Sequence, residues 1–132
     1  MKTRIAAALV FVLALGVCAA YADGHERTVV MWKCKYVEGK TKDDVQAVNA
    51  KWLKITNAAT DEGEVRSYLL TPVVGNTEGF MFIDSFPSES AWVAMRGAMK
   101  TEEGKALDKE FETVCTCSHN ALYESEQTMA PE

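Results

Sequence analysis

Residues 28–37 read TVVMWKCKYV, and this two-residue alternation constrains the rest of the chain more than any other stretch. Val30, Trp32, Cys34 and Tyr36 fall on one side, Val29, Met31, Lys33 and Lys35 on the other. A period of two built from β-branched and aromatic residues predicts a strand. Similar stretches recur at 64–74 (EVRSYLLTPVV), 78–86 (EGFMFIDSF) and about 116–125 (TCSHNALYES). Pro72 marks the end, or an edge position, of the second strand. Gly75-Asn76 is a turn signal, so the second and third strands are expected to form a hairpin.

Helical periodicity fills the gaps. Gly39 breaks the first strand, and Thr41 followed by Asp44 has the form of a helix N-cap with an acidic partner. Val45, Val48, Trp52, Ile55 and Ala59 then make one apolar stripe with Asn49 on its edge, and Asp61 to Gly63 closes the helix. Ser88 is the expected cap of a second helix with Trp92, Met95 and Met99 on its stripe. Gly97 and the stretch 101–104 interrupt it, after which Leu107, Phe111 and Val114 resume the helical spacing. The order β-α-β-β-α-β is the split βαβ pattern. It predicts an α+β, ferredoxin-like domain whose helices cover one face of a four-stranded antiparallel sheet.

The start of the chain has another character. Lys2 and Arg4 precede an uncharged apolar run from Ile5 to Val17, and Ala20-Tyr21-Ala22 offers small residues for cleavage. This is the layout of a secretory signal peptide over 1–22, cut after Ala22. The run is shorter than the roughly 20 residues a membrane-spanning helix needs. A lipidated Cys18 is the rival reading, although Val17 stands where a lipobox has Gly, Ala or Ser. Cleavage leaves 110 of the 132 residues, expected as one periplasmic or secreted domain over 23–126 with a flexible tail at 127–132. Loss of Lys2 and Arg4 leaves 12 basic residues, from 14, against 19 acidic ones. That balance, with no basic cluster, argues against nucleic acid and anionic membranes as partners. There is no Ser-His-Asp pattern, phosphate loop, dinucleotide fingerprint or H-E-x-x-H helix. His25 lies near the new N-terminus and carries no reading.

Residues 80–92, FMFIDSFPSESAW, resemble the antibiotic-biosynthesis-monooxygenase-like families of the dimeric α+β barrel superfamily. Asp84 stands where those families often carry a strand acid, and Phe86 where they often carry Trp. Ala91 and Trp92 match the start of their second helix. The resemblance implies a homodimer whose sheets pack face to face, with a pocket between sheet and helices in each subunit. Members include cofactor-free oxygenases, haem-degrading enzymes, isomerases and proteins of unknown role, so fold does not decide function. Active members often have a histidine on the second helix near the position of Met95. Residues 88–114 contain none, which argues against haem ligation and the usual oxygenase chemistry.

The resemblance also makes the first and last strands antiparallel neighbours, bringing Cys34 near Cys117, or near Cys115 if the strand begins late. Neighbouring strands supply the separation a disulfide needs, and export favours oxidation. Three cysteines remain after the leader, an odd number. A copper or zinc site of Cys34, Cys115, Cys117 and His119 is an alternative, as is a redox or free thiol. C-x-C-x-H is a weak metal signal by itself.

If Cys34 meets Cys117, the face carrying Trp32 and Tyr36 joins the one expected to carry His119 and Tyr123. Asn49, Trp52 and Trp92 would close over it as an aromatic chamber for a small apolar or aromatic molecule. In an enzyme of this kind Asp84 or His119 moves a proton, Trp52 and Trp92 hold a ring, and Asn49 orients it. Arg66 and Tyr68, together on one face of the second strand, are further binding candidates, as is Phe86. No cofactor is expected in that reading. A metal or thiol-redox protein and a non-catalytic interaction module with a filled core are the competing readings.

Overall fold

The computed structural model describes residues 26–75, 78–128 and 130–131, and only the backbone of His119. The expected leader at 1–22, Cys18, His25, the Asn76 half of the turn and the His119 side chain lie outside the described residues. The elements are β1 (Arg27–Tyr36), α1 (Lys42–Ala58), β2 (Arg66–Leu70), β3 (Phe80–Phe86), α2 (Glu89–Ala98), α3 (Glu102–Glu112) and β4 (Cys115–Ser125). The four strands form one antiparallel sheet in the order β2-β3-β1-β4, the ferredoxin-like arrangement. Among the described residues no helix is long and apolar enough to cross a membrane.

Local chemistry accounts for the element ends. Thr41 and Asp44 form a reciprocal capping box, the Asp44 carboxylate accepting from the Thr41 backbone N–H at 2.8 Å. These bonds hold its pKa below the ordinary value. β2 is shorter than its alternating pattern at both ends. Before it, the side chain of Asn57 binds the Val65 backbone in place of a ladder partner, accepting from N–H at 2.9 Å and donating to C=O at 3.2 Å. After it, Pro72 lacks an N–H to pair, and Val73 and Val74 are 90% exposed. The second helical region splits in two because the chain doubles back tightly there. A Cβ on Gly104 would lie 2.5 Å from the Ala98 carbonyl oxygen, so only glycine fits. Gly79 is held more strongly still. Its φ is +74°, and a Cβ there would lie 2.3 Å from the Cys34 carbonyl oxygen as β3 runs in beside β1.

The core lies between the helices and the sheet face carrying Val30, Cys34, Phe80, Phe82 and Phe86. Val45, Val48 and Trp52 of α1, Met95 of α2, and Leu107 of α3 close it from above. The aromatic rings interlock edge to face, Trp52 on Phe86 at 6.2 Å and Phe82 on Phe111 at 6.3 Å between centroids.

β4 departs from regular alternation. Lys33 pairs with His119 but Cys34 pairs with Cys117, so Ser118 is an extra residue and the ladder bulges. The bulge reverses which side of β4 each alternate residue takes. Cys117 stays on the helix side with Cys34, whereas Tyr123 pairs with Val29 on the far side. Unbroken alternation would have put Cys117 and Tyr123 on one face, and that expectation is corrected here.

Candidate functional site

A cleft of about 750 Å³ opens between α2, α3 and the sheet, with β3, β1 and β4 as its floor and the side of α1 as its back wall. This size suits a small organic ligand. Trp32, Asn49, Trp52, Asp84, Phe86 and Trp92, all expected from the sequence, line it. A filled-core interaction module would leave no such space beside Trp52 and Trp92.

Asp84 is the chemical centre. It sits on β3 on the helix side, between Val30 of β1 and Ser67 of β2. Only 7% of it is exposed. Asn49 of α1 donates to the Ser67 hydroxyl at 2.9 Å, and that hydroxyl donates to Asp84 Oδ1 at 2.5 Å. The Trp32 indole N–H also donates to the carboxylate. Burial raises the Asp84 pKa from 3.8 to about 6, against the opposing pull of the Ser67 and Trp32 hydrogen bonds. Such a carboxylate is mostly ionised at neutral pH and is a stronger base than an exposed one. Asn49 thus bears on the acid through Ser67, a link that the helical stripe alone did not suggest.

The other candidates are placed elsewhere. Tyr36 shares the helix-side face but stacks on Phe80 at 4.5 Å and does not line the cleft. Arg66 and Tyr68 point to the opposite side of the sheet, since their partners Ser85 and Ile83 alternate with the core residues of β3. Arg66 pairs there with Glu64 at 3.1 Å. Tyr123 is 48% exposed on that same side. None of these three can touch a molecule held over Asp84, so their assignment as cleft contacts is corrected. His119 is placed only by its backbone, opposite Lys33 and beyond the bulge from Cys117.

Cys34 and Cys117 are joined by a disulfide, with Cα atoms 4.0 Å apart. Cys115 is a free, buried thiol two residues away, and burial pushes its pKa up. A copper or zinc site of the expected composition is therefore not assembled. Two of its thiolates are bonded to each other, and the third favours the neutral thiol, a poor ligand. Among the described residues no group of three or more His, Cys, Asp or Glu side chains is placed to hold a metal ion.

Ser67 beside the acid escaped the sequence reading, as did the lining residues Arg96 and Lys100 on the α2 side and Asp108, Phe111 and Glu112 on α3. Part of the signal was present. Arg96 follows Trp92 by one helical turn, and its guanidinium lies 5.6 Å from the Trp92 ring centroid.

No protein-family model and no curated protein matches the chain. Solved structures do. The cofactor-independent oxygenase SnoaB from Streptomyces nogalater superposes with a TM-score of 0.58 at 17% identity, over 81% of this chain and 99% of that one. A nipsnap family protein of unknown function from Agrobacterium tumefaciens gives 0.56 at 12% identity, over 81% and 94%. A protein from Arabidopsis thaliana gives 0.51 at 8% identity, over 80% and 99%. At these identities the likeness establishes the ferredoxin-like α+β fold, and chemistry has to be argued from the cleft.

Proposed function

We propose that the cleft binds a small apolar or aromatic molecule bearing an ionisable hydroxyl or an acidic C–H, and that Asp84 takes up its proton. The observation that carries this reading is a buried carboxylate of raised pKa set in the wall of an aromatic cleft. Trp52 and Phe86 form an apolar wall, Trp92 offers a ring face, and Ser67 with Trp32 fixes the carboxylate. Proton removal leaves a substrate anion. Returning the proton at another carbon completes an isomerisation, while electron transfer from the anion to O2 begins an oxygenation that needs no cofactor. The likeness to a cofactor-independent oxygenase is consistent with the second outcome. We further propose export, on the layout of residues 1–22 and the oxidised cysteine pair.

All three tryptophans of the chain line the cleft, so intrinsic fluorescence reports its occupancy. Titration with 2-naphthol is expected to quench this emission saturably, with half-saturation between about 1 μM and 1 mM. Absence of saturable quenching up to about 1 mM overturns the reading.

The far side of the sheet supports a second element of the proposal, a homodimer. Tyr68 is 49% exposed, Leu70 44% and Tyr123 48%, with Val29, Met31 and Ile83 alongside on the same side. A face of this composition is suited to burial against a second copy. Native mass spectrometry is expected to find a dimer for the wild type and a monomer for Tyr68→Glu, which would bury a charge at that interface. A wild type that stays monomeric at micromolar concentration removes the dimer from the proposal.

A further inference from the structure

Cations and anions lining the cleft are segregated, and the segregation bears on what the cleft accepts. Arg96 lies in the last turn of α2 and Lys100 just beyond the helix end, and Asp108 and Glu112 stand one turn apart on α3. Like charges at this spacing destabilise a helix slightly. Some lysines of the chain are paired, Lys35 with Glu78, Lys51 with Glu110 and Lys105 with Glu102. Arg96 and Lys100 form no ion pair among the described residues, and Arg96 lies over the Trp92 ring instead. Neither cation forms an ion pair with Asp108 or Glu112 among the described residues. The Asp108 pKa is raised by its partial burial and by the charge of Glu112, with no basic group acting on it. Two cations at the C-terminal end of α2 and two anions on α3 therefore border the same apolar space without pairing with each other.

From this segregation we infer that the ligand is an aromatic acid, its anionic group held by Arg96 and Lys100 and its ionisable hydroxyl directed at Asp84. The inference rests on the proposed role of the cleft and adds the ligand's charge. Asp108 and Glu112 repel a carboxylate from the α3 side and so fix which way round the ligand enters. The chain carries a formal net charge of −5, so an anion finds little attraction elsewhere on it.

Two probes separate this inference from the reading beneath it. 2-Naphthol supplies the rings and hydroxyl, and 6-hydroxy-2-naphthoate adds a carboxylate at the far end. In low salt the wild type is expected to bind the carboxylate probe about tenfold more tightly. The double variant Arg96→Gln/Lys100→Gln, altered at two exposed positions, is expected to lose that advantage while its affinity for 2-naphthol stays within about twofold. Asp108→Asn/Glu112→Gln is expected to tighten the carboxylate probe and leave 2-naphthol unchanged. If 2-naphthol binds and the carboxylate gives no advantage, or one that survives loss of both cations, the inference is wrong and the cleft reading stands. If neither probe binds, both fall.

Discussion

Replacing Cys34 and Cys117 together by alanine is expected to lower the unfolding free energy by about 4 kcal/mol. The bond joins residues 83 apart in sequence and so closes most of the folded domain into one loop. In the chain-entropy view, removing a cross-link of that span returns about 4–5 kcal/mol of conformational freedom to the unfolded chain. Cys34 is also among the most buried side chains of the core, at 2% exposure, so the substitution leaves packing unfilled there. For a domain whose total stability falls in the usual range of about 5–15 kcal/mol, this is a large share. Denaturant titration of the two proteins measures it. A difference below about 0.5 kcal/mol would mean that the cross-link is not formed in the folded protein. Thiol counting gives an independent check on chain that begins at Asp23. Unfolded without reductant it should show one reactive thiol, Cys115, and with reductant three.

The fold was legible because its signals were local and repeated. Alternation at 28–37 and 80–86, the Thr41–Asp44 cap and the Trp52 stripe each specify an element without reference to the others, and their order leaves few ways to stack them. The pairing of β1 with β4 came from resemblance, and register then placed Cys34 opposite Cys117. What alternation could not show was the bulge at Ser118. An inserted residue changes no composition and no local propensity, yet it moves Tyr123 to the far side of the sheet. Arg66 and Tyr68 failed as cleft residues for a related reason. Their shared face was read correctly, but a five-residue edge strand does not declare which face meets the helices. The decisive partner of Asp84 was hidden in the same strand. Ser67 matters only because the hairpin register sets it opposite Asp84, while Asn49 approaches from a helix 18 residues earlier. Networks assembled from three elements have no sequence period and become visible only in space.

Asp84 gives the second large effect, one that needs no substrate to detect. Its pKa in the folded protein is about 6, against an ordinary 3.8. Well below pH 3.8 the carboxyl is protonated whether the chain is folded or not, and it contributes nothing to the pH dependence. Between about 4 and 6 the unfolded chain releases this proton while the folded one keeps it, so the folded state binds more protons and stability falls as pH rises. Above 6 both forms are ionised and the penalty levels off. A displacement of about two pH units corresponds to about 3 kcal/mol, and with Asp84 only 7% exposed solvent screens little of it. The folded protein therefore carries at neutral pH a cost that a purely structural residue would shed. Asp84→Asn removes the titration. The substitution is imperfect, because one amide oxygen must serve donors from both Ser67 and Trp32, so a constant offset in stability is expected as well. The informative quantity is consequently the wild-type-minus-variant difference, followed by denaturant midpoint from pH 4 to pH 7.5. It should shift by about 2–2.5 kcal/mol across the window, with contributions from other carboxylates such as Asp44 cancelling. A difference that holds constant within about 0.5 kcal/mol would show that Asp84 titrates normally and is not poised as a base. Where turnover of a hydroxylated aromatic is found, the same variant should lose about 10²–10⁴-fold in rate, and the wild-type rate should rise through pH 6 as the carboxylate ionises. Stability that declines over the interval in which catalysis appears is what a carboxylate buried for proton transfer requires.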